Sequence, residues 1–259
     1  MLQWIRAKKK PQAEYKLQVA KNERIYAVGD VHGRADLLRL LLDKISQDID
    51  ARRDSRMPRL IFLGDYVDRG DHSREVLEML AALRADLGSS GTFLRGNHEA
   101  AMMAFLADPE KGVDWLDWGG VQTIASFGIQ PPRKPYQPKD LKSVALELEA
   151  ALGPLLDFVR TTDLITRSGD HVFCHAGIDP AKPLDDQPDS ALLWGTSAFL
   201  QARQLNGIRV VHGHYDRYEP DVLPHRIGLD TGAYYSGRLT GIRLDDEERL
   251  LVADVMDIV

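Results

Sequence analysis

Short apolar runs recur along the chain, and each gives way to a polar, mostly glycine-bearing stretch. Ile25-Tyr26-Ala27-Val28 precedes residues 29–33, Leu60-Ile61-Phe62-Leu63 precedes 64–70, and Thr92-Phe93-Leu94 precedes 95–99. Later, Val172-Phe173-Cys174 leads into 175–177, and Ile208-Arg209-Val210-Val211 leads into 212–214. Runs of this length and continuity predict strands buried on both faces. Between the first three the period lengthens: Leu37, Leu38, Leu41, Leu42 and Ile45 share a helical face, as do Val76, Leu77, Leu80 and Leu83 behind a candidate Ser73 cap. The pattern is β-α-β-α-β, with polar residues at the carboxyl ends of the strands, where open α/β sheets bind ligands.

After residues 99–106, which continue as a short helix, the texture changes. Trp115, Trp118 and Gly119-Gly120 precede a proline-rich stretch from Pro131 to Pro138, and then Leu141, Val144, Ala145, Leu148 and Leu152 return to helical spacing. Residues 107–165 are therefore read as a cap inserted into one domain spanning 25–259, with the tryptophans as local core. The segments 227–230, 239–244 and 250–255 suggest a closing antiparallel set.

Composition narrows the chemistry. A chain of 259 residues with net charge −6 is an ordinary globular protein without a broad nucleic-acid footprint. Residues 1–24 are locally basic and are read as a solvated tail; no apolar segment follows them as in a secretion signal, and no run approaches about 18 apolar residues, so neither membrane nor nucleic acid is an expected partner and a cytoplasmic location is expected. Cys174 is the single cysteine, which excludes an internal disulfide and a thiolate-rich metal site. Pro180 stands where a cysteine-dependent phosphatase would place its arginine, so Cys174 is read as a buried strand residue. Walker A and Gly-x-Gly-x-x-Gly loops are absent from the sequence.

The strand ends carry a common donor chemistry. Asp30 and His32, two apart, leave an extended backbone on one side and can share a cation. Asp65, Asn97, His175 and His214 each follow a different run, with His212 a weaker alternative to His214. Six nitrogen and oxygen donors are too many for one tetrahedral ion and suit two divalent ions sharing a carboxylate, the arrangement that lowers the pKa of a bridging water toward about 7 and hydrolyses phosphate esters. Arg69 and Arg95 are placed to hold the phosphoryl group, His98 to protonate a leaving alkoxide, and Asp68 to orient the His98 ring.

Gly29-Asp30-Val31-His32-Gly33, Gly64-Asp65-Tyr66-Val67-Asp68-Arg69-Gly70, Arg95-Gly96-Asn97-His98-Glu99, His175-Ala176-Gly177 and Gly213-His214 together resemble the motif series of the calcineurin-like metallophosphoesterases. The Tyr-Val-Asp-Arg form of the second motif resembles the phosphoprotein phosphatases of the bacterial and phage lambda branch. The resemblance implies a central β-sandwich flanked by helices, Asp30 and His32 on one metal, Asp65 between the two, and Asn97, His175 and His214 on the other. It implies manganese, with iron and zinc in some relatives, and a phosphoprotein or phosphopeptide substrate carrying phosphoserine or phosphothreonine, with phosphotyrosine as a further substrate. A dinucleoside tetraphosphate hydrolase shares most of the motifs and stays open, as does a catalytically weakened metal-binding module. The sequence departs from the pattern at Trp194-Gly195-Thr196, where Thr196 replaces a phosphate-binding arginine, and at Tyr215-Asp216 after His214. Arg217 is the preferred substitute cation, ahead of Arg209 and Arg203. Tyr234 and Tyr235 are read first as packing residues, with Tyr234 carried as a candidate substrate contact.

Overall fold

Alternation within each strand explains the architecture. In β1 (Glu23–Val28) Ile25 and Ala27 face one way and Tyr26 and Val28 the other, so one strand feeds two apolar layers. The computed structural model describes residues 17–52 and 54–257. Its remaining strands are β2 (Met57–Phe62), β3 (Gly91–Phe93), β4 (Ile165–Ser168), β5 (His171–Cys174), β6 (Arg209–His212), β7 (Asp221–Val222), β8 (Arg226–Gly228), β9 (Arg238–Leu244) and β10 (Glu248–Asp254).

They form two five-stranded sheets, ordered β10-β9-β1-β2-β3 and β4-β5-β6-β8-β7. β1, β2 and β3 run parallel, as do β5, β6 and β8, while β9, β10, β4 and β7 pair antiparallel at the flanks. Ile25, Ala27, Ile61 and Leu63 of the first sheet meet Phe173, Val211 and Ile227 of the second in a shared layer. The expected β-sandwich flanked by helices is the fold. The closing set differs from expectation: β9 and β10 extend the first sheet beside β1, while Ile227 lies in β8 of the second, parallel to β6.

The outer face of the first sheet is covered by α1 (Ala35–Asp50) and α2 (Ser73–Leu87), through Leu37, Leu38, Leu41, Val76, Leu77 and Leu80. α3 (Asn97–Ala107), α4 (Val121–Ser126), α5 (Pro138–Leu152) and α6 (Pro154–Arg160) add Met102, Ile124, Leu148 and Val159 to the same cluster. On the second sheet, α7 (Asp189–Trp194) and α8 (Ser197–Gln201) contribute Leu192 and Phe199, packed with Cys174 and Val210.

Two local expectations change. Residues 1–16 of the basic segment lie outside the described residues, but 17–24 are part of the fold: Gln18 N–H donates to Asp170 and Ala20 N–H to Ser168 Oγ, both at 3.0 Å. Arg24 is buried in β1, paired with Asp54 and Asp245, because β1 lies between β2 and β9, and Asp54 precedes the one strand while Asp245 follows the other. Ser73 opens α2 without capping it; its buried hydroxyl accepts the Asp68 N–H at 3.0 Å instead.

Candidate metal centre and acid dyad

Five of the residues singled out in the motifs sit in left-handed backbone that non-glycine residues seldom adopt: His32 (φ 45°), Asp65 (51°), Asp68 (73°), Arg69 (67°) and His214 (66°). Such strain persists only where surroundings over-determine it, and it gathers at functional sites. For Asp65 the over-determination is visible. The buried Glu99 carboxylate accepts N–H bonds from Asp65 (2.9 Å), Tyr66 (2.7 Å), Val67 (3.2 Å) and Gly96 (2.9 Å), stitching the β2 loop to the start of α3. Burial, with Asp65 nearby, pushes the Glu99 carboxyl up to about 7, against the N–H donors that favour its anion.

Asp65 is the meeting point of two donor groups. It lies with His32 and His98 in one, and with His175 and His214 in the other, all donor atoms within 4.8 Å in each. Burial alone would raise its pKa, but the imidazoles of His175, His98 and His32 outweigh it and hold Asp65 well below the usual carboxylate range. His32 Nδ1 bonds Val67 O and His175 Nδ1 bonds Leu63 O, each at 2.9 Å, which leaves each Nε2 turned toward Asp65 Oδ2 at 3.5 and 3.4 Å. A backbone carbonyl holding one ring nitrogen so that the other points inward is how metal-ligating histidines are oriented. Asn97 Oδ1 lies 2.8 Å from His175 Nε2 and 2.9 Å from His214 Nδ1.

Asp30 stands slightly apart from these groups. Its Oδ2 accepts the His214 N–H at 3.0 Å, and its Oδ1 is buried with no partner. Burial first, then Asp230 and Asp65, push its pKa well above the ordinary value. An orphaned buried oxygen beside all-nitrogen-and-oxygen donors fits hard or borderline divalent cations, so the residues present suit the metals that the sequence implies. Gly213 makes room for that oxygen: a Cβ there would lie 1.8 Å from Asp30 Oδ1.

The acid dyad is built from distant elements. His98 Nδ1–H donates to Asp68 Oδ2 at 2.6 Å. Asp68 Oδ2 also accepts from Trp115 Nε1–H (2.7 Å), and its Oδ1 from the Thr123 hydroxyl (2.6 Å). Burial lowers the His98 pKa, but Asp65 and Asp68 more than offset it, leaving the ring above its ordinary value. Trp115, read as local core, is both: it packs on Phe105 and holds Asp68.

The two arginines diverge. Arg69 Nη1 lies 3.1 Å from His32 Nε2, and its guanidinium stands 5.0 Å from the Tyr234 ring centroid. Arg95 does not reach the cluster. Its Nε donates to Thr162 Oγ1 (3.1 Å) and its Nη2 to the carbonyls of Arg160 (2.9 Å) and Thr162 (3.2 Å), because the unsatisfied carbonyls after α6 take the guanidinium. Thr196 caps α8 by accepting the Phe199 N–H at 3.1 Å. Of its suggested substitutes, Arg209 is paired with Glu248 at the start of β6, away from the strand's carboxyl end. Arg217 is exposed and lines a small cleft with Tyr215 and Asp230. His212 is held off the metal groups, its Nδ1 bonded to Gly213 O at 2.9 Å and its Nε2 buried without a partner. Tyr234 makes an edge contact with His32, 5.6 Å between centroids, at the mouth of the site.

Sequence reasoning passed over Glu99, Trp115 and Thr123. Glu99 left one signal, an acid three residues into a helix that opens on a ligand; the other two left none, since their partner lies about 50 residues away.

A shared acidic donor at the ends of strands in a two-sheet α/β sandwich, with the Arg69 guanidinium and the His98–Asp68 pair beside it, is the arrangement expected of a metal-dependent enzyme that hydrolyses phosphate esters. The chain belongs to the calcineurin-like phosphoesterase family, whose model matches residues 23–243. It is 26% identical over 250 residues to a Bacillus thuringiensis protein named bis(5′-nucleosyl)-tetraphosphatase PrpE (asymmetrical), covering 90% of this chain and 95% of that one. Among solved structures, a candidate diadenosine tetraphosphatase matches with TM-score 0.61 at 19% identity, covering 92% of this chain and 99% of the other. A serine/threonine phosphatase from Saccharomyces cerevisiae matches with TM-score 0.54 at 16% identity, over 90% and 80%. At these identities the solved structures speak to the fold alone.

Proposed function

We propose that this enzyme cleaves a phosphoric anhydride in a dinucleoside tetraphosphate, releasing unequal nucleotide products. The observation that carries this reading is the position of Arg69. It touches His32 on one side and Tyr234 on the other, so a phosphate held by it has the metal donors behind it and an aromatic-lined opening of about 450 Å³ in front. The full-length likeness to a protein named as a tetraphosphatase supports the same reading.

In this reading Asp30, His32, Asp65, Asn97, His175 and His214 hold two divalent cations, manganese being the preferred metal. Those cations supply positive field at the phosphoryl oxygens and an activated water. Arg69 binds and orients the phosphate, forking onto two of its oxygens. His98, its Nδ1–H fixed on Asp68, carries the transferable proton at Nε2 and gives it to the departing oxygen. Trp115 and Thr123 keep Asp68 in the geometry that serves this, and Glu99 keeps the Asp65 loop in place. Arg217 is the candidate second cation at the rim. No helix among the described residues is long and apolar enough to cross a membrane.

The phosphoprotein reading has one specific observation in its favour. The dyad of His98 and Asp68 is completely assembled, and an alkoxide needs a donated proton more than a leaving phosphate does. Hydrolysis of diadenosine tetraphosphate compared with a phosphoserine, phosphothreonine and phosphotyrosine peptide panel, in manganese, decides between them. A higher kcat/KM on the tetraphosphate supports the proposal; a higher one on any phosphopeptide replaces it.

A further inference from the structure

The opening beside Arg69 has walls as well as volume. It is lined by Arg69, Asp117, Trp118, Gly119, Gln122 and Tyr234. Trp118 and Tyr234 are 41% and 37% exposed, large aromatic surface that a folded chain would otherwise cover. Trp118 touches one other ring, an edge contact with Trp194 at 5.5 Å, so its faces carry no stacked ring among the described residues. Tyr234 is already engaged with His32 and Arg69, which leaves Trp118 as the open stacking surface.

Gln122 supplies the second observation. It is the first turn of α4, one residue before Thr123, which is fixed on Asp68. Its Oε1 is buried and has no hydrogen-bond partner among the described residues. A buried polar atom without a partner costs stability and calls for a ligand or water to satisfy it. Asp117, the only acid among the described residues on this wall, is paired with the Lys134 ammonium at 2.8 Å and accepts the Tyr136 hydroxyl at 3.0 Å, so Lys134 offsets its repulsion of a nucleotide.

We infer that this pocket is a nucleobase subsite selective for adenine, with Trp118 stacking on the base and the Gln122 carboxamide pairing with its N6 amine and N7. The inference rests on the tetraphosphate reading and adds the base that the enzyme reads. An amide offers one donor and one acceptor, which matches the Hoogsteen edge of adenine and mismatches that of guanine, where O6 and N7 both accept. The base therefore sits beside Arg69 with its attached phosphate directed toward His32.

The test has two arms on the manganese-loaded full chain. In the first, kcat/KM is measured on diadenosine and diguanosine tetraphosphate with the wild type and with Q122E, Q122L and W118L. The wild type prefers the adenine substrate by roughly tenfold or more, Q122L loses that preference, Q122E, a pure acceptor that still takes the N6 amine and repels O6 and N7 of guanine, keeps it, and W118L raises KM roughly tenfold with kcat little changed, the size expected of one lost stack. In the second, AMP and GMP are titrated against tryptophan fluorescence; AMP quenches the wild type and not W118L, whose circular dichroism reports that it is folded. If neither tetraphosphate is hydrolysed, the tetraphosphate reading falls. If both are hydrolysed at equal efficiency, or AMP quenches W118L as it does the wild type, that reading survives and the adenine subsite is overturned.

Discussion

Asp68 concentrates the residue-scale chemistry. It is buried, sits at φ 73°, and receives Trp115, Thr123 and His98 on its two oxygens. Asp68→Asn keeps the shape but puts an amide where three donors converge, so the His98 ring loses its anchor. A fall in kcat of about 10²- to 10⁴-fold on an alkyl phosphomonoester is expected, with a smaller fall on diadenosine tetraphosphate, read from steady-state rates on both. Equal loss on the two substrates would remove the proton-donor role. Cys174 is the contrasting case: fully buried, with its thiol pushed up to about 12 by burial. A native thiol so placed is unreactive, so iodoacetamide at pH 8 labels it only after unfolding. Stoichiometric labelling of active enzyme, with loss of activity, would reverse that assignment. Single residues were legible where a donor type recurred after each strand, which is how Asp30, His32, Asp65, Asn97, His175 and His214 were nominated as ligands. Arg95 was drawn into the site by the candidate ligands beside it in sequence, while its partners in space are the carbonyls ending α6.

At the scale of elements, the segment between α3 and α5 proves to be part of the site's support. Trp115 and Thr123 reach Asp68, and Gly119, at φ 113°, approaches Arg69 so closely that a Cβ would lie 2.6 Å from its amide nitrogen. Composition showed only aromatics and prolines there, because nothing local marks a hydrogen bond to a residue about 50 positions earlier. Thr123→Val removes the hydroxyl that donates to Asp68 Oδ1 and shares the Asp68 N–H with Ser73 Oγ. We expect at least a tenfold loss of kcat with native metal content, measured by kinetics alongside elemental analysis; unchanged kcat would make Thr123 a packing residue only. Gly213→Ala acts on the other side, driving a methyl into Asp30 Oδ1, and should lower metal content itself. The strands were predicted from apolar runs, but their division between two sheets was not, since runs buried on both faces carry no mark of which neighbour they pair with.

At the scale of the whole molecule, the proposed site predicts that metal stabilises the fold. The proposed donors come from the ends of β1, β2, β5 and β6 and the start of α3, in both sheets, so ions bound by them would tie the sandwich together. A ligand that binds only the folded state at 100 times its Kd adds about 2.7 kcal/mol, which for a chain of this size is roughly 5–10 °C in Tm. Scanning calorimetry with manganese and then with a chelator should show that gap. The fold itself was readable because five motif-bearing strand ends and two amphipathic helices agreed on one arrangement. The central claim is that Asp65 serves two ions at once, and metal content per chain tests it most directly. After reconstitution in manganese and removal of loose metal, two ions per chain in the wild type, reduced in Asp65→Asn, is the expected count; one ion in the wild type, or two retained in Asp65→Asn, would contradict a shared carboxylate.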